Sequence, residues 1–143
     1  MVSLATYPSY LGLDVSRTAL AMCQARFLHD TTKRFARYPN TDAGIHDLAI
    51  SLDVIYHLVE DDVFTAYMNR LFNSAGKFVI IYSSNMDGKR LGVACRHRTL
   101  TRWVDENARE WRLREIIRNP YPFDRSDPHN TSLSDFCVYE RTH

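Results

Sequence analysis

The chain of 143 residues is long enough for one domain with a real core. Hydrophobic residues make up 45% and charged residues 24%, which excludes a disordered chain. Lys and Arg number 18 against 17 Asp and Glu, a formal charge of +1, and this balance argues against a dominant electrostatic hold on nucleic acid or an anionic membrane. No apolar run approaches the roughly 20 residues that span a bilayer. The opening Met-Val-Ser-Leu-Ala-Thr-Tyr-Pro lacks the basic-then-apolar order of a secretory signal. Cys23, Cys95 and Cys137 are widely spaced and read as reduced thiols of a cytoplasmic protein, with no metal-ligand spacing.

Tyr10-Leu11-Gly12-Leu13-Asp14 is short and apolar and stops at an acid, the pattern of a strand covered on both faces. Ser16 stands where an N-cap belongs, and Arg17 to Leu28 reads as a helix with Leu20, Cys23 and Phe27 on one face. A weaker strand spans Lys33 to Tyr38, stopped by Pro39. Asn40 to Asp47 is turn-rich. Leu48 to Leu52 is a second buried-type strand, again ending at an acid, Asp53.

Val63 to Ala75 is the best helix, with Phe64, Met68, Leu71, Phe72 and Ala75 in one stripe and Gly76 expected as its C-cap. Glu60-Asp61-Asp62 precedes it and favours its dipole. Lys77 to Tyr82 is a third buried-type strand. Ser83 to Arg98 is polar and reads as a long loop. Thr99 to Ala108 is a helix, Trp111 to Ile117 an edge strand, Asn119 to Asn130 a proline-rich connection, and Leu133 to Glu140 a last strand. Strands alternating with helices argue for an α/β, Rossmann-like open sheet, mostly parallel. The last two strands have no helix between them and are expected to form an antiparallel pair at one edge.

Ligands of such sheets sit outside the carboxyl ends of the strands, where Asp14 and Asp53 fall. An ionised carboxylate only accepts hydrogen bonds, which suits a ribose diol. A glycine-rich loop normally lies about 20 residues ahead of such an acid. No G-x-G-x-x-G or P-loop pattern occurs in this chain.

Tyr10-Leu11-Gly12-Leu13-Asp14-Val15-Ser16 resembles the second-strand motif of class I S-adenosylmethionine-dependent methyltransferases. Ser51-Leu52-Asp53-Val54-Ile55-Tyr56-His57-Leu58-Val59-Glu60-Asp61 is similar to their fourth-strand motif, and Lys77 to Ser83 to the fifth strand. The resemblance implies one methyltransferase-like domain over residues 1–143 that begins after the family's first strand and helix. It implies S-adenosylmethionine as cofactor, with Asp14 on the ribose and Val15 against the adenosine. Ser51, Leu52 and Asp53 would line the methionine side, and His57 would be catalytic at the mouth of the pocket. A neutral imidazole there suits a general base.

The expected function is methyl transfer to an acceptor, and the near-neutral charge favours a small molecule. The alternative is an inactive methyltransferase-like subunit that acts through a partner chain, or as a homo-oligomer that completes its sheet. No membrane role, nucleic-acid role or metal is indicated. Arg96-His97-Arg98, with Arg102 a turn on, reads either as a solvated surface or as a clamp for an acidic acceptor. Trp103, Trp111, Tyr121 and Phe123 read as core and edge packing, and Tyr56 as packing.

Overall fold

The computed structural model describes residues 7–40, 44–88 and 94–142. Parts of the expected turn (41–43) and loop (89–93, with Gly92) lie outside them. The chain divides into two compact units, Met1–Gly44 and Ile45–His143. The strands of the expected sheet are distributed over two sheets, one of two strands and one of four.

In the first unit β1 (Tyr10–Asp14) and β2 (Lys33–Arg37) run parallel, joined by α1 (Arg17–Arg26). Asp14 Oδ1 accepts from the Ser16 amide at 2.7 Å, and the Ser16 hydroxyl accepts from Ala19 N at 3.2 Å. These two acceptors satisfy donors that a helix start leaves open. The helix ends two residues before the expected Leu28, because Phe27 leaves helical geometry (φ −111°, ψ 25°). Its ring stacks on Phe35 at 5.7 Å. Gly12 pairs with Phe35 across the strands, and a Cβ on Gly12 would stand 2.7 Å from Phe35 Cδ1. The ring therefore covers the glycine and excludes any side chain there.

The second unit holds β3 (His46–Leu52), a 3₁₀ turn (Ile55–His57), α2 (Asp61–Asn73), β4 (Ala75–Ser84), α3 (Leu100–Asn107), β5 (Trp111–Ile117) and β6 (Ser134–Arg141). The strand order is β3-β4-β6-β5. β3 and β4 are parallel, while β6 is antiparallel to both β4 and β5. The C-terminal antiparallel pair expected from the sequence is thus present. β5 lies at the edge of the sheet, as expected, but beyond Trp111 every residue of it is exposed, Leu113, Ile116 and Ile117 included, so its alternation does not bury one face.

Most element ends shift by one or two residues from expectation, and the shifts at α2 bear on the site. α2 begins at Asp61, so Asp61 and Asp62 occupy its first turn. Gly76 is not a C-cap. The helix ends at Asn73 and is capped by Ser74, whose hydroxyl donates to Leu71 O at 2.8 Å. β4 starts at once, and Gly76 lies in it, with room for a Cβ only 3.4 Å from Ile45 Cγ2.

The core lies under α2 and α3. Phe72 meets Trp111 at 5.4 Å and Tyr139 at 5.6 Å, both edge-on. Met68, Val79, Ile81, Leu100 and Val104 are fully buried around them. Tyr121 and Phe123, expected to pack, are instead exposed on the β5–β6 connection, whose prolines and hydrogen-bonded turns keep it on the surface. Because β5 runs antiparallel to β6, it runs with β3 and β4. The carboxyl ends of all three therefore share one end of the sheet, and the residues after them gather there.

The Tyr139 hydroxyl is fully buried without a hydrogen-bond partner among the described residues. Burial pushes its phenol up, so it stays protonated. Tyr139→Phe removes this orphan and is expected to leave stability unchanged or raise it by about 1–2 kcal/mol. Met68→Ala, by contrast, is expected to cost about 2–5 kcal/mol through the cavity it leaves. Urea titration of the two variants measures both effects.

Candidate functional site

The carboxyl end of β3 leads into a tight turn. Asp53 takes φ +55°, the left-handed region that a non-glycine residue rarely occupies. Such backbone persists only where surrounding contacts fix it, and it concentrates at ligand sites. Here the Asp53 amide donates to Tyr82 O at 3.1 Å, and its Oδ1 accepts from the Tyr56 hydroxyl at 2.9 Å. Burial, then the bond to Asp53, pushes the Tyr56 phenol up to about 12, so it remains a donor at neutral pH. Tyr56 therefore has a polar role at the turn and is not packing alone.

His57 follows on the 3₁₀ turn, exposed, with its ring 4.4 Å from that of Tyr56. The segment 94–98 lies against it. His57 Nδ1 stands 3.3 Å from Ala94 O and 3.7 Å from Cys95 Sγ. His97 bonds through Nδ1 to the buried Ser84 hydroxyl at 2.5 Å, at the end of β4, and its ring lies 6.2 Å from Tyr56. Asp53, Tyr56, His57, Ser84, Cys95 and His97 thus share the carboxyl end of the sheet.

Arg96 and Arg98 fit neither expectation for them, a solvated surface or a free anion clamp. Arg98 NH1 donates to Leu58 O at 2.7 Å and NH2 to Val59 O at 2.8 Å, and its guanidinium lies over the Phe64 ring at 4.4 Å. Arg96 NH1 donates to Val59 O at 3.2 Å, and its amide to Tyr56 O at 2.8 Å. Both reach Asp61, at 2.9 and 3.1 Å. Successive residues of an extended segment point to opposite sides. Two arginines flanking one histidine therefore reach the 58–61 segment while His97 reaches Ser84. That spacing was the signal in the sequence, which named His97 but revealed neither its bond to Ser84 nor the presence of Ser84 and Cys95 at the site.

The other expected site residues are placed as follows. Ser51 is buried, and its hydroxyl bonds Tyr67 of α2 at 2.8 Å, leaving its backbone rather than its side chain for a ligand. Leu52 is exposed at the strand end. Asp14 ends β1 in the first unit, and Val15 follows it, 68% exposed. The second carboxylate oxygen of Asp14 has no hydrogen bond among the described residues, so it remains an acceptor for a hydroxyl. No group of three His, Cys, Asp or Glu side chains among the described residues could hold a metal. Among the same residues, no helix is long and apolar enough to cross a membrane.

No protein-family model and no curated protein matches the sequence. Solved structures do. The methyltransferase domain of bacterial CtHen1-C is 16% identical at a TM-score of 0.69, over 96% of this chain and 79% of that one. The N-methyltransferase NodS from Bradyrhizobium japonicum WM9 is 12% identical at 0.72, over 94% and 74%. The magnesium protoporphyrin IX methyltransferase of Synechocystis PCC 6803 with bound SAM is 18% identical at 0.62, over 92% and 59%. The chain has the fold of class I S-adenosylmethionine-dependent methyltransferases.

Hydrogen bonds from Arg96 and then Arg98 hold the Asp61 carboxyl below its ordinary 3.8. A lowered value means the pairing stabilises the fold above that pH and fades as pH falls through the folded value. Urea titrations between about pH 5 and pH 3 should therefore show a shallower acid loss for Asp61→Asn than for the wild type. Arg98→Ala leaves the Leu58 and Val59 carbonyls short of donors and is expected to cost about 1–3 kcal/mol at neutral pH.

Proposed function

We propose that the chain is an S-adenosylmethionine-dependent methyltransferase, with residues 1–143 acting as one methyltransferase-like domain. The observation that carries this reading is the left-handed Asp53 at the carboxyl end of β3, with Tyr56 and His57 beside it. The fold it shares with many methyltransferases supports the reading.

In this reading Asp14 accepts the ribose hydroxyls through its open oxygen, and Val15 offers an exposed apolar surface to the adenosine. The Ser51 backbone, Leu52 and Asp53 line the methionine side. Asp53 Oδ1 is engaged by Tyr56, and its second oxygen suits the ammonium of the methionine part. The bound donor supplies an electrophilic methyl carbon on a sulfonium. His57 stands at the mouth, where it orients the acceptor and takes a proton from it. The acceptor is a small molecule, a choice supported by the near-neutral charge. Free thiols at Cys23, Cys95 and Cys137 support a cytoplasmic location.

A second reading has its own support. β1 has β2 as its one strand neighbour and β3 has β4, among the described residues, and no G-x-G-x-x-G occurs in the chain. Parallel strands with apolar sequences are normally covered on both sides, and an open edge invites another strand. This reading makes the chain a non-catalytic subunit whose sheet a partner chain or a second copy completes.

Calorimetric titration with S-adenosylhomocysteine separates the two. The enzymatic reading expects micromolar binding by the isolated chain, weakened at least tenfold in Asp14→Ala. A folded chain that binds none, and that sediments as an assembly, supports the subunit reading. Equal affinity in the variant removes Asp14 from the site.

A further inference from the structure

His57 is faced by the Ala94 carbonyl and the Cys95 thiol from the 94–98 segment, and by the Tyr56 ring from its own turn. Asp53 lies one hydrogen bond further, behind Tyr56, and His97 stands across the same ring. The Ala94 oxygen, 3.3 Å from Nδ1, can only accept. A bare Nδ1 would set its lone pair against that oxygen. One proton on Nδ1 serves the carbonyl and also the sulfur at 3.7 Å, which accepts weakly. In a neutral imidazole this leaves Nε2 as the lone-pair nitrogen. Nε2 has no partner among the described residues, and the ring is exposed.

We propose that the Ala94 carbonyl holds His57 in its Nδ1–H form, and that the methyl acceptor is a hydroxyl or amine still carrying the proton that Nε2 removes. The inference rests on the methyltransferase reading and narrows its substrate class. The acceptor's oxygen or nitrogen forms a bond to the methyl carbon. The carbon–sulfur bond breaks, and its electron pair goes to sulfur. The acceptor's proton goes to Nε2, so the positive charge passes from the sulfonium to the imidazolium. The Nδ1–H stays on the Ala94 carbonyl throughout, and water then takes the proton from Nε2. A carboxylate or thioether has no such proton, and its lone pairs would meet the lone pair of Nε2. Both are excluded as acceptors.

The test is a two-bond proton–nitrogen spectrum of the full chain labelled with ¹⁵N-histidine. It is recorded at about pH 8.5, where an ordinary imidazole is neutral. The His57 signals are those lost in His57→Gln. The expected pattern is that of the Nδ1–H form, retained in Cys95→Ser because the carbonyl remains. An Nε2–H pattern, the mixed pattern of a free imidazole, or a change of pattern in Cys95→Ser would overturn the proposal.

Titration with catechol is expected to shift the His57 Nε2 resonance, while benzoate leaves it in place. A shift by benzoate, or by neither, would overturn the acceptor class. S-adenosylhomocysteine binding, measured separately, reports on the methyltransferase reading. An Nδ1–H pattern in a chain that binds no S-adenosylhomocysteine removes that reading and leaves the tautomer standing.

Discussion

The guanidinium of Arg98 organises the carboxyl end of the four-stranded sheet, where Asp53, Tyr56 and His57 lie. It is a cation, almost covered, that gives its donors to two backbone carbonyls and a carboxylate and rests on an aromatic face. A planar fork of donors suits this place, and a lysine ammonium would not reach both carbonyls in one geometry. The carbonyls belong to Leu58 and Val59, where the chain runs between the 3₁₀ turn and α2 and has no ladder of its own. Arg98 therefore ties two irregular segments together, and Arg96 adds its side chain and its amide. Through that tie Ala94 and Cys95 meet His57.

The sheet supplies the other half of the constraint. Parallel β3 and β4 bring Asp53 beside Tyr82, whose carbonyl takes the Asp53 amide in its left-handed conformation. Ser84 at the end of β4 anchors His97 from below. Behind them, α2 and α3 bury a continuous apolar layer in which Phe72 touches both Trp111 and Tyr139. The site is thus made of strand ends and loops on a rigid base, the arrangement in which irregular backbone can be held in place. Ser51 belongs to the base, since its hydroxyl faces α2.

Much of the fold was legible in the sequence. Apolar runs ending at acids marked β1 and β3, and one stripe of Phe64, Met68, Leu71 and Phe72 marked α2. The β5 boundaries matched to the residue, because alternation of apolar and charged side chains is a local property of an edge strand. Gly76 misled for a physical reason. A glycine after a helical stripe is ambiguous between a C-cap and a tightly packed strand, and here Ser74 made the cap first. Tyr121 and Phe123 misled because their apolar rings suggested burial, whereas the connection that carries them is closed by its own turns at the surface.

By itself, the sequence determined the order of elements, the acids at the strand ends and the position of His57, since periodicity and strand termination are encoded over a few neighbouring residues. Tertiary structure decided which groups meet that histidine. Ala94, Cys95 and Ser84 lie 27 to 38 residues from it, and only the clasp of Arg96 and Arg98, with the end of β4, brings them near. It also decided that Asp53 turns left-handed and that the arginines face inward to carbonyls. A backbone carbonyl has no signature in a sequence, so the group that sets the state of the imidazole becomes visible only once the chain is folded.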